Sequence, residues 1–233
     1  MAKRNNLSSR LRRSLDCLRK TAKRRTLTDP AFFVERVLGY EMAHFHRVWF
    51  EFQMRNPRTL ILAPRGHGKT TICNIAYTLW RLVADPDIRA LVVCRTAAQA
   101  QDCLFEMRLH LEANTNLTPL LGGRGTLWQR AKLTLPSRKR ISKEPTVTAS
   151  GVLGPIVGKH FDLIVMDDVV DERNSATEHV RDSILRWFRK VLLPCLEPSG
   201  ELHILGTRYH PNDLYQHIID GADEVMRLND LLR

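Results

Sequence analysis

The sequence contains no long hydrophobic run. Its longest apolar stretches, near Leu60, Leu91 and Leu163, are four or five residues long, whereas a helix that crosses a membrane needs about 20. We therefore expect no transmembrane helix and no membrane partner. Because 43% of the 233 residues are hydrophobic, the chain can bury a sizeable core, and it is most simply one globular domain with a tail.

Cysteine is scarce and follows no metal-binding pattern. The five cysteines lie at positions 17, 73, 94, 103 and 195, with no C-x-x-C pair and no clustered histidine partner. This spacing argues against a zinc site, and an odd number of cysteines without a signal peptide is typical of a reducing cytoplasm. Cys73 and Cys94 have apolar neighbours in the sequence, so they are most simply small core residues.

Most of the chain also lacks net charge. The formal net charge is +11, but residues 1–25 hold ten Lys and Arg against one acid, Asp16, while residues 26–233 hold 26 basic and 24 acidic side chains. We interpret residues 1–25 as a basic amphipathic arm and residues 26–233 as a nearly neutral globular body. The leucines at helical spacing in the arm are Leu7, Leu11, Leu15 and Leu18.

Four interpretations of this arm remain open. It could bind DNA phosphates, dock on a partner protein, remain a solvated tail, or serve as an organellar presequence.

Residues 60–71 read L-I-L-A-P-R-G-H-G-K-T-T. The apolar run predicts a buried strand, the glycines predict a tight turn, and the residues after Lys69 predict a helix. This is the layout of a phosphate-binding (Walker A) loop, in which Gly66 and Gly68 let backbone N–H groups converge on phosphate oxygens. The template G-x-x-x-x-G-K-[ST] has Ala63 at its first glycine, a variant associated with helicases and DNA translocases.

The chemistry of such a loop assigns roles to its polar side chains. Lys69 would bridge the β- and γ-phosphates of ATP, and Thr70 would place a hydroxyl on Mg²⁺. Just upstream, Phe45 or His46 could hold the adenine, although ordinary packing is an alternative. The residues expected to bind the nucleotide are Arg65, Gly66, His67, Gly68, Lys69, Thr70, Thr71 and His46.

A second motif, F-D-L-I-V-M-D-D at residues 161–168, carries paired acids. A continuous apolar run predicts a strand buried in a parallel sheet, and an acid at its carboxyl end points into the crevice where ligands bind. We expect Asp167 to hold Mg²⁺, directly or through water, and Asp168 to act as the base that polarises the attacking water. For this pattern by itself, an acidic helix cap is the alternative.

Other segments place these motifs in a coarse secondary structure. A helix after a buried strand at residues 90–94 carries Gln99 or Gln101 near its start, and Thr207 ends a later strand, where it would sense the γ-phosphate. The remaining predictions are a turn or linker at 26–30, a helix over 31–54, a loop over 114–125, a peripheral antiparallel hairpin over 126–150 with Arg138, Lys139 and Arg140 at its turn, an amphipathic helix over 175–193, and a last short helix after 213. Core candidates in the first helix are Phe32, Phe33, Val37, Tyr40, Val48, Trp49 and Phe52.

Together, A-P-R-G-H-G-K-T-T, G-K-H-F-D-L-I-V-M-D-D-V-V-D and L-G-T-R-Y-H-P-N-D-L, which lie in that order within residues 30–215, resemble the ATPase domain of the large terminase subunit of tailed bacteriophages. The resemblance implies an α/β P-loop NTPase fold of the additional-strand catalytic-acid type, in which a mostly parallel sheet has helices on both faces. It also implies a DNA-packaging motor that uses ATP and Mg²⁺, acts as a homo-oligomeric ring in the host cytoplasm, and has double-stranded DNA, the portal and the small terminase subunit as partners.

The resemblance assigns Arg65 to the γ-phosphate and Thr207 to the coupling motif, and with Asp168 these are the expected catalytic residues. This chain has Asp-Asp where relatives have Asp-Glu, so Glu172 is a rival base. Relatives also carry an arginine that acts on a neighbour's ATP; the candidates here are Arg124, Arg138, Arg140 and Lys159, with Arg208 or Arg65 acting within one subunit as the alternative. A nuclease domain would follow residue 233, so DNA cleavage is not expected of this chain.

Other functions remain possible for the same motifs. A helicase-like DNA translocase ATPase shares the fold, although a second motor domain is not evident in the sequence. A small-molecule kinase would need an acceptor-binding signature that we do not find. An ATP-binding interaction module without turnover would need the nucleotide loop but not the paired acids.

Overall fold

The computed structural model describes residue 21 and residues 23–221. The predicted arm at residues 1–25 therefore lies almost wholly outside the described residues. The six strands are β1 (Arg58–Leu62), β2 (Ala90–Cys94), β3 (Lys132–Leu133), β4 (Val147–Gly151), β5 (Phe161–Asp167) and β6 (Leu196–Gly206). They form one sheet in the order β1-β6-β5-β2-β4-β3. Only the β3–β4 pair is antiparallel among them.

Helices cover both faces of this sheet. Besides a helical segment over residues 23–28, the α-helices are α1 (His44–Arg55), α2 (Tyr77–Ala84), α3 (Ala97–Ala113), α4 (Thr118–Leu121), α5 (Glu172–Ser175), α6 (Glu178–Trp187) and α7 (residues 214–221). Wider π-helical turns span Phe32–Leu38, Thr70–Ala76 and Phe188–Leu192, and a 3₁₀ turn spans Leu193–Cys195. In the described part of the chain, no helix is long and apolar enough to cross a membrane.

Two hydrophobic cores lie on opposite faces of the sheet, because successive side chains of a strand alternate in direction. In β2, Val92 and Cys94 join the core under α1, α2 and α3, whereas Leu91 and Val93 join the core under α6 and α7. β5 is likewise buried on both faces. The expected α/β fold with helices on both faces is confirmed, and β6 is the additional strand between β1 and β5.

The predicted helix over 31–54 is wrong as a single element. It breaks at Gly39, whose φ of 81° is left-handed, and the chain restarts at α1 with a different buried side. As a result Phe50 is fully buried, while Val48 and Phe52, which were expected in the core, are 52% and 43% exposed. Glycine adopts the left-handed conformation without steric cost, so Gly39 is a natural place for the break.

Three other predictions are corrected. Residues 26–28 are helical rather than a linker, and the Trp80 indole N–H donates to the Thr26 carbonyl at 3.1 Å. The loop over 114–125 contains α4. The predicted hairpin is not peripheral as a whole: β4 pairs in parallel with β2 inside the sheet, and only the two-residue β3 lies at the edge.

The amphipathic helix predicted over 175–193 is present in pieces. α5 ends at Ser175, and the side chain of Thr177 accepts the backbone N–H of Val180 to begin α6. The expected apolar face still packs on the sheet, with Ile184 and Phe188 buried.

Candidate active site

The candidate site lies where β1, β6 and β5 end. These three strands are parallel neighbours, so their carboxyl ends meet at one edge of the sheet, where α/β proteins bind ligands. The glycine-rich loop follows β1, Thr207 follows β6, and Asp168 follows β5. A cavity of about 480 Å³ opens there; it is lined by Arg65, Gly66, His67, Gly68, Lys69, Thr70, Arg95, Gln99, Asp168, Val170, Asp171 and Tyr209.

The glycines give the loop its shape. Gly66 and Gly68 have φ values of 79° and 66°, a left-handed conformation that side-chain-bearing residues rarely adopt. A Cβ added to Gly68 would also lie 2.9 Å from Nε2 of His46. The loop leads directly into the helical turn Thr70–Ala76, so the amino-terminal end of a helix lies beside the cavity lining, an arrangement suited to an anion.

His46 supports this loop from outside the cavity. The Ala43 N–H donates to its Nδ1 at 3.1 Å, so Nδ1 carries no proton, and the neutral ring donates through Nε2 to the His67 carbonyl at 2.8 Å. Neither His46 nor Phe45 is among the cavity-lining residues. The sequence predicted a nucleotide contact for His46, and the structure gives it a contact with the loop backbone.

Lys69 is held by uncharged oxygens. Its side chain is almost fully buried, and Nζ donates to the carbonyls of Ala63 and Pro64 at 2.7 and 3.0 Å and to Oγ1 of Thr207 at 3.2 Å. Within residues 23–221, Lys69 forms no salt bridge. The ammonium charge at this edge is therefore available to an incoming phosphate.

Thr207 connects the loop to the acid pair. Its Oγ1 lies 3.2 Å from the Ala63 carbonyl oxygen and 3.5 Å from Oδ1 of Asp168. The strand-end threonine, the loop lysine and the second acid, which the sequence separates by many residues, thus share one hydrogen-bonded group. Thr71, also expected at the nucleotide, is partly buried and is not among the residues that line the cavity.

Asp167 is a buried carboxylate with an unused oxygen. It is 3% exposed, the Asn74 amide donates to its Oδ2 at 3.0 Å, and Oδ1 has no hydrogen-bond partner in the described structure. Burial raises the pKa of Asp167 to about 6, although the Asn74 hydrogen bond and the neighbouring Thr70 hydroxyl offset part of the effect. An unpaired carboxylate oxygen beside a threonine hydroxyl is a donor set that suits Mg²⁺.

Asn74 is a site residue that the sequence reasoning missed. It follows Thr70 by four residues and so lies on the same side of the helical turn, towards Asp167. The available signal was an asparagine within the otherwise apolar segment I-C-N-I-A, and the structure buries it fully.

Asp168 faces the cavity because of its backbone. Its φ of 44° is left-handed, a conformation that aspartate tolerates better than most residues, and its N–H donates to the Leu205 carbonyl at 3.0 Å. Asp168 lines the cavity, whereas the rival base Glu172 is exposed and does not. The geometry therefore favours Asp168.

Four cavity residues were not predicted, namely Arg95, Val170, Asp171 and Tyr209. Arg95 directly follows β2, and its Nη1 lies 3.1 Å from Oδ2 of Asp171. The Arg65 guanidinium lies 5.4 Å from the centre of the Tyr209 ring, which positions this arginine at the rim. Strand-end position was the available signal for Arg95, because β2 ends at the same edge as β5.

None of the four candidates for a trans-acting cation lines this cavity. Arg140 pairs with Asp162 at 3.4 Å at the opposite edge of the sheet, and Arg138 donates to the Glu144 carbonyl at 2.7 Å. Arg124 is exposed, and Lys159 lines a second cavity of about 400 Å³ beyond β4. Arg208 donates to the Gln216 side chain at 2.6 Å.

The sheet order, the glycine-rich loop and the acids at the end of β5 define the chain as an α/β P-loop NTPase fold. No protein-family model matches the sequence. Over 169 residues the chain is 27% identical to the large terminase subunit of Enterobacteria phage T3, covering 71% of the chain and 28% of that protein. It is also 32% identical over 161 residues to reverse gyrase of Pyrobaculum aerophilum, covering 67% of the chain and 13% of that enzyme. The chain thus spans less than a third of either relative.

Two solved structures share the fold. The ATPase domain of the large terminase of Thermus phage P74-26 superposes with a TM-score of 0.51 at 18% identity, covering 76% of the chain and 69% of that structure. The large terminase of bacteriophage HK97 superposes with a TM-score of 0.57 at 15% identity, covering 88% and 42%. The resemblance of this chain to the large terminase ATPase domain of tailed bacteriophages is confirmed.

Proposed function

We propose that residues 26–233 form an ATPase domain that hydrolyses ATP with Mg²⁺ and powers the translocation of double-stranded DNA into a viral procapsid. The observation that carries the proposal is the convergence of Lys69, Thr207 and the Asp167–Asp168 pair at the ends of three adjacent strands. The resemblance to phage large terminases supplies the substrate class. The site of action would be the cytoplasm of the infected bacterium.

The residues divide the chemistry between them. Backbone N–H groups around Gly66 and Gly68 and the Lys69 ammonium would bind the phosphates, Lys69 exchanging its carbonyl partners for phosphate oxygens. Thr70 and Asp167 would hold Mg²⁺, which neutralises phosphate charge when bound. Asp168 would orient the attacking water and accept its proton.

Three further side chains would respond to the phosphates or act on them. Thr207 bridges Lys69 and Asp168, so loss of the γ-phosphate would alter both of its contacts, and β6 would carry the change. Arg65 and Arg95 line the cavity and would act on the phosphates within one subunit.

We also propose a homo-oligomeric ring, which the resemblance to large terminases implies, in which an arginine from a neighbour would add to those within the subunit. An arginine supplied in trans is worth roughly 10³ to 10⁵ in rate, so specific activity should rise as protein concentration drives subunits together. High and constant activity across a dilution series would instead mean that Arg65 or Arg95 suffices within one chain.

The basic arm, residues 1–25, is proposed to bind DNA through phosphates. Each phosphate contact contributes about 0.9 to the slope of log affinity against log salt. If deletion of the arm removes about four contacts, that slope should flatten by roughly three to four units, while ATP hydrolysis persists. An unchanged slope with lost binding to the portal or small terminase subunit would show that the arm docks on those partners.

The decisive test of function is phosphate release with and without double-stranded DNA. Stimulation by duplex DNA without strand separation supports the packaging motor. The match to reverse gyrase favours a helicase-like translocase as the second candidate, and strand separation would establish it. Stoichiometric ATP binding without phosphate release would show an interaction module and overturn the proposal.

A further inference from the structure

Two cysteines that belong to no recognisable metal-binding motif lie close together beside Asp167. Cys94 ends β2 and is the direct ladder partner of Asp167 in β5, so both side chains point to the same face of the sheet. The chain turns at Thr96 into α3, whose buried side carries Cys103. The Sγ atoms of Cys94 and Cys103 are 4.0 Å apart, and a carboxylate oxygen of Asp167 lies within 4.8 Å of both.

The separation of the sulfurs fits shared coordination of a cation. With metal–sulfur bonds of about 2.3 Å in a tetrahedral site, two thiolates lie about 3.8 Å apart, close to the 4.0 Å between Cys94 and Cys103. A disulfide would require the sulfurs to approach to about 2.0 Å. The observed geometry is therefore nearer to metal coordination than to a disulfide.

The third group supplies an independent observation. Oδ1 of Asp167 is buried and has no hydrogen-bond partner in the described part of the chain. Cys94, Cys103 and Asp167 are 4%, 8% and 3% exposed, so water offers little competition for the three groups. Thiolates select soft or borderline cations, and carboxylate completes such ligand sets.

We propose that Cys94, Cys103 and Asp167 form a binding site for a thiophilic divalent cation of the zinc class. The expectation against zinc came from the spacing of the cysteines along the chain. Cys94 and Cys103 are brought together by the return of α3 over β2, which no short motif encodes.

This site shares a carboxylate with the proposed Mg²⁺ site, and that overlap gives it a regulatory consequence. Mg²⁺ prefers oxygen ligands and is poorly served by sulfur, whereas a zinc-class cation held by both cysteines would engage Asp167 as well. Binding would remove Asp167 from its role at the nucleotide and inhibit hydrolysis. The inhibition rests on the proposed ATPase function; cation binding itself does not.

Cobalt(II) is the probe for the site, because thiolate ligands give it a charge-transfer band in the near ultraviolet. The reduced, full-length chain should bind one equivalent of Co²⁺ with such a band, and Zn²⁺ should displace it, since zinc binds more tightly. Cys94→Ser and Cys103→Ser should each lose the band and at least about 100-fold in affinity. Cys195→Ser, which alters another buried cysteine, should keep it.

A second measurement needs no variant and covers the case in which a serine variant fails to fold. Zn²⁺ should slow alkylation of Cys94 and Cys103 in the unmodified chain, read by peptide mass, and leave Cys195 unaffected. A missing cobalt band, or alkylation indifferent to zinc, overturns the site. So does a Cys94–Cys103 disulfide that forms under mild oxidation in a chain that binds no Co²⁺.

Inhibition is measured separately as phosphate release with Mg²⁺ in excess. Zinc should inhibit the unmodified chain, and Cys103→Ser should require at least about tenfold more zinc for the same inhibition. Equal sensitivity of the two proteins overturns the regulatory part. If neither protein hydrolyses ATP, the proposed function fails, while the cobalt band still decides whether the cation site exists.

Discussion

Buried charged side chains have different kinds of partner at the two edges of the sheet. At the amino-terminal edge, the buried Arg89 guanidinium pairs with Asp162 at 2.8 Å and with Glu197 at 2.6 Å. At the carboxyl-terminal edge, and among residues 23–221, Lys69 has only uncharged oxygen partners and one oxygen of Asp167 has none. Both edges contain buried charges, so burial alone does not separate stabilising residues from functional ones.

The difference lies in how far each charge is satisfied. Arg89 donates from Nε and Nη2 to both oxygens of Asp162, and such a bidentate pair compensates the cost of burial. Asp167 retains a raised pKa because its hydrogen bonds only partly offset desolvation. An incompletely satisfied buried charge is tolerated where a ligand will complete it, and strongly shifted groups accordingly cluster at functional sites.

The largest effect is expected from Lys69→Ala at the carboxyl-terminal edge. Removal of the ammonium should lower ATP turnover by about 10² to 10³-fold or more, because none of the other described lysines lines the cavity to replace a charge aimed at the phosphates. Lys143→Ala is the control, since Lys143 is 71% exposed and does not line the cavity. Turnover that survives Lys69→Ala would remove this loop from the mechanism.

Asp168→Asn should come next. It should lower turnover by roughly 10² to 10⁴-fold while ATP affinity changes little, because it removes a proton acceptor without removing a phosphate contact. Glu172→Gln is the control, since Glu172 is exposed outside the cavity. The single-turnover rate and the nucleotide affinity are measured for both variants. Normal turnover in Asp168→Asn together with lost turnover in Glu172→Gln would show that the base assignment is wrong.

These charged groups were predictable to different degrees from the sequence. The strands before Lys69 and Asp167 were evident because continuous apolar runs mark strands buried on both faces. The same strand-end rule extends to Arg95. β4 was misjudged because Thr148 and Ser150 alternate with apolar residues, which is typical of a half-exposed strand, yet both polar side chains are buried.

Other features depend on contacts distant in sequence. In α1 the run Val48 to Phe52 is almost wholly apolar, so periodicity cannot tell which side is buried, and packing against α2 selects Phe50. The pairing of Asn74 with Asp167 joins residues 93 positions apart. The meeting of Cys94 and Cys103 likewise needs the three-dimensional path of α3.

At the amino-terminal edge, Arg89→Met should affect stability rather than chemistry. Two partly buried carboxylates would lose their shared partner, at a cost of about 3 kcal/mol in the free energy of unfolding. Arg55→Met, which removes an exposed pair with Glu51, should cost about 0.5 kcal/mol or less. Denaturant titration measures both, and equal losses would contradict the assignment of Arg89 as the stabilising charge.

The smallest effect concerns His203 in β6, between the two edges. Burial lowers its pKa, and Glu201 offsets part of that shift; Thr59 and Arg81 complete its polar surroundings. A neutral buried histidine stabilises the fold above the unfolded pKa of about 6.5, and this contribution is lost as the pH falls below that value.

His203→Gln keeps the hydrogen-bonding capacity and removes the titration. The loss of stability between pH 7.5 and 5.5 should therefore be smaller in the variant, by at most about 1.4 kcal/mol per pH unit for one proton. Glu201 does not confuse this window, because its lowered pKa places its own loss of stability at more acidic pH. If the stability of both proteins had the same dependence on pH, His203 would titrate alike in the folded and unfolded chain, and the prediction would be wrong.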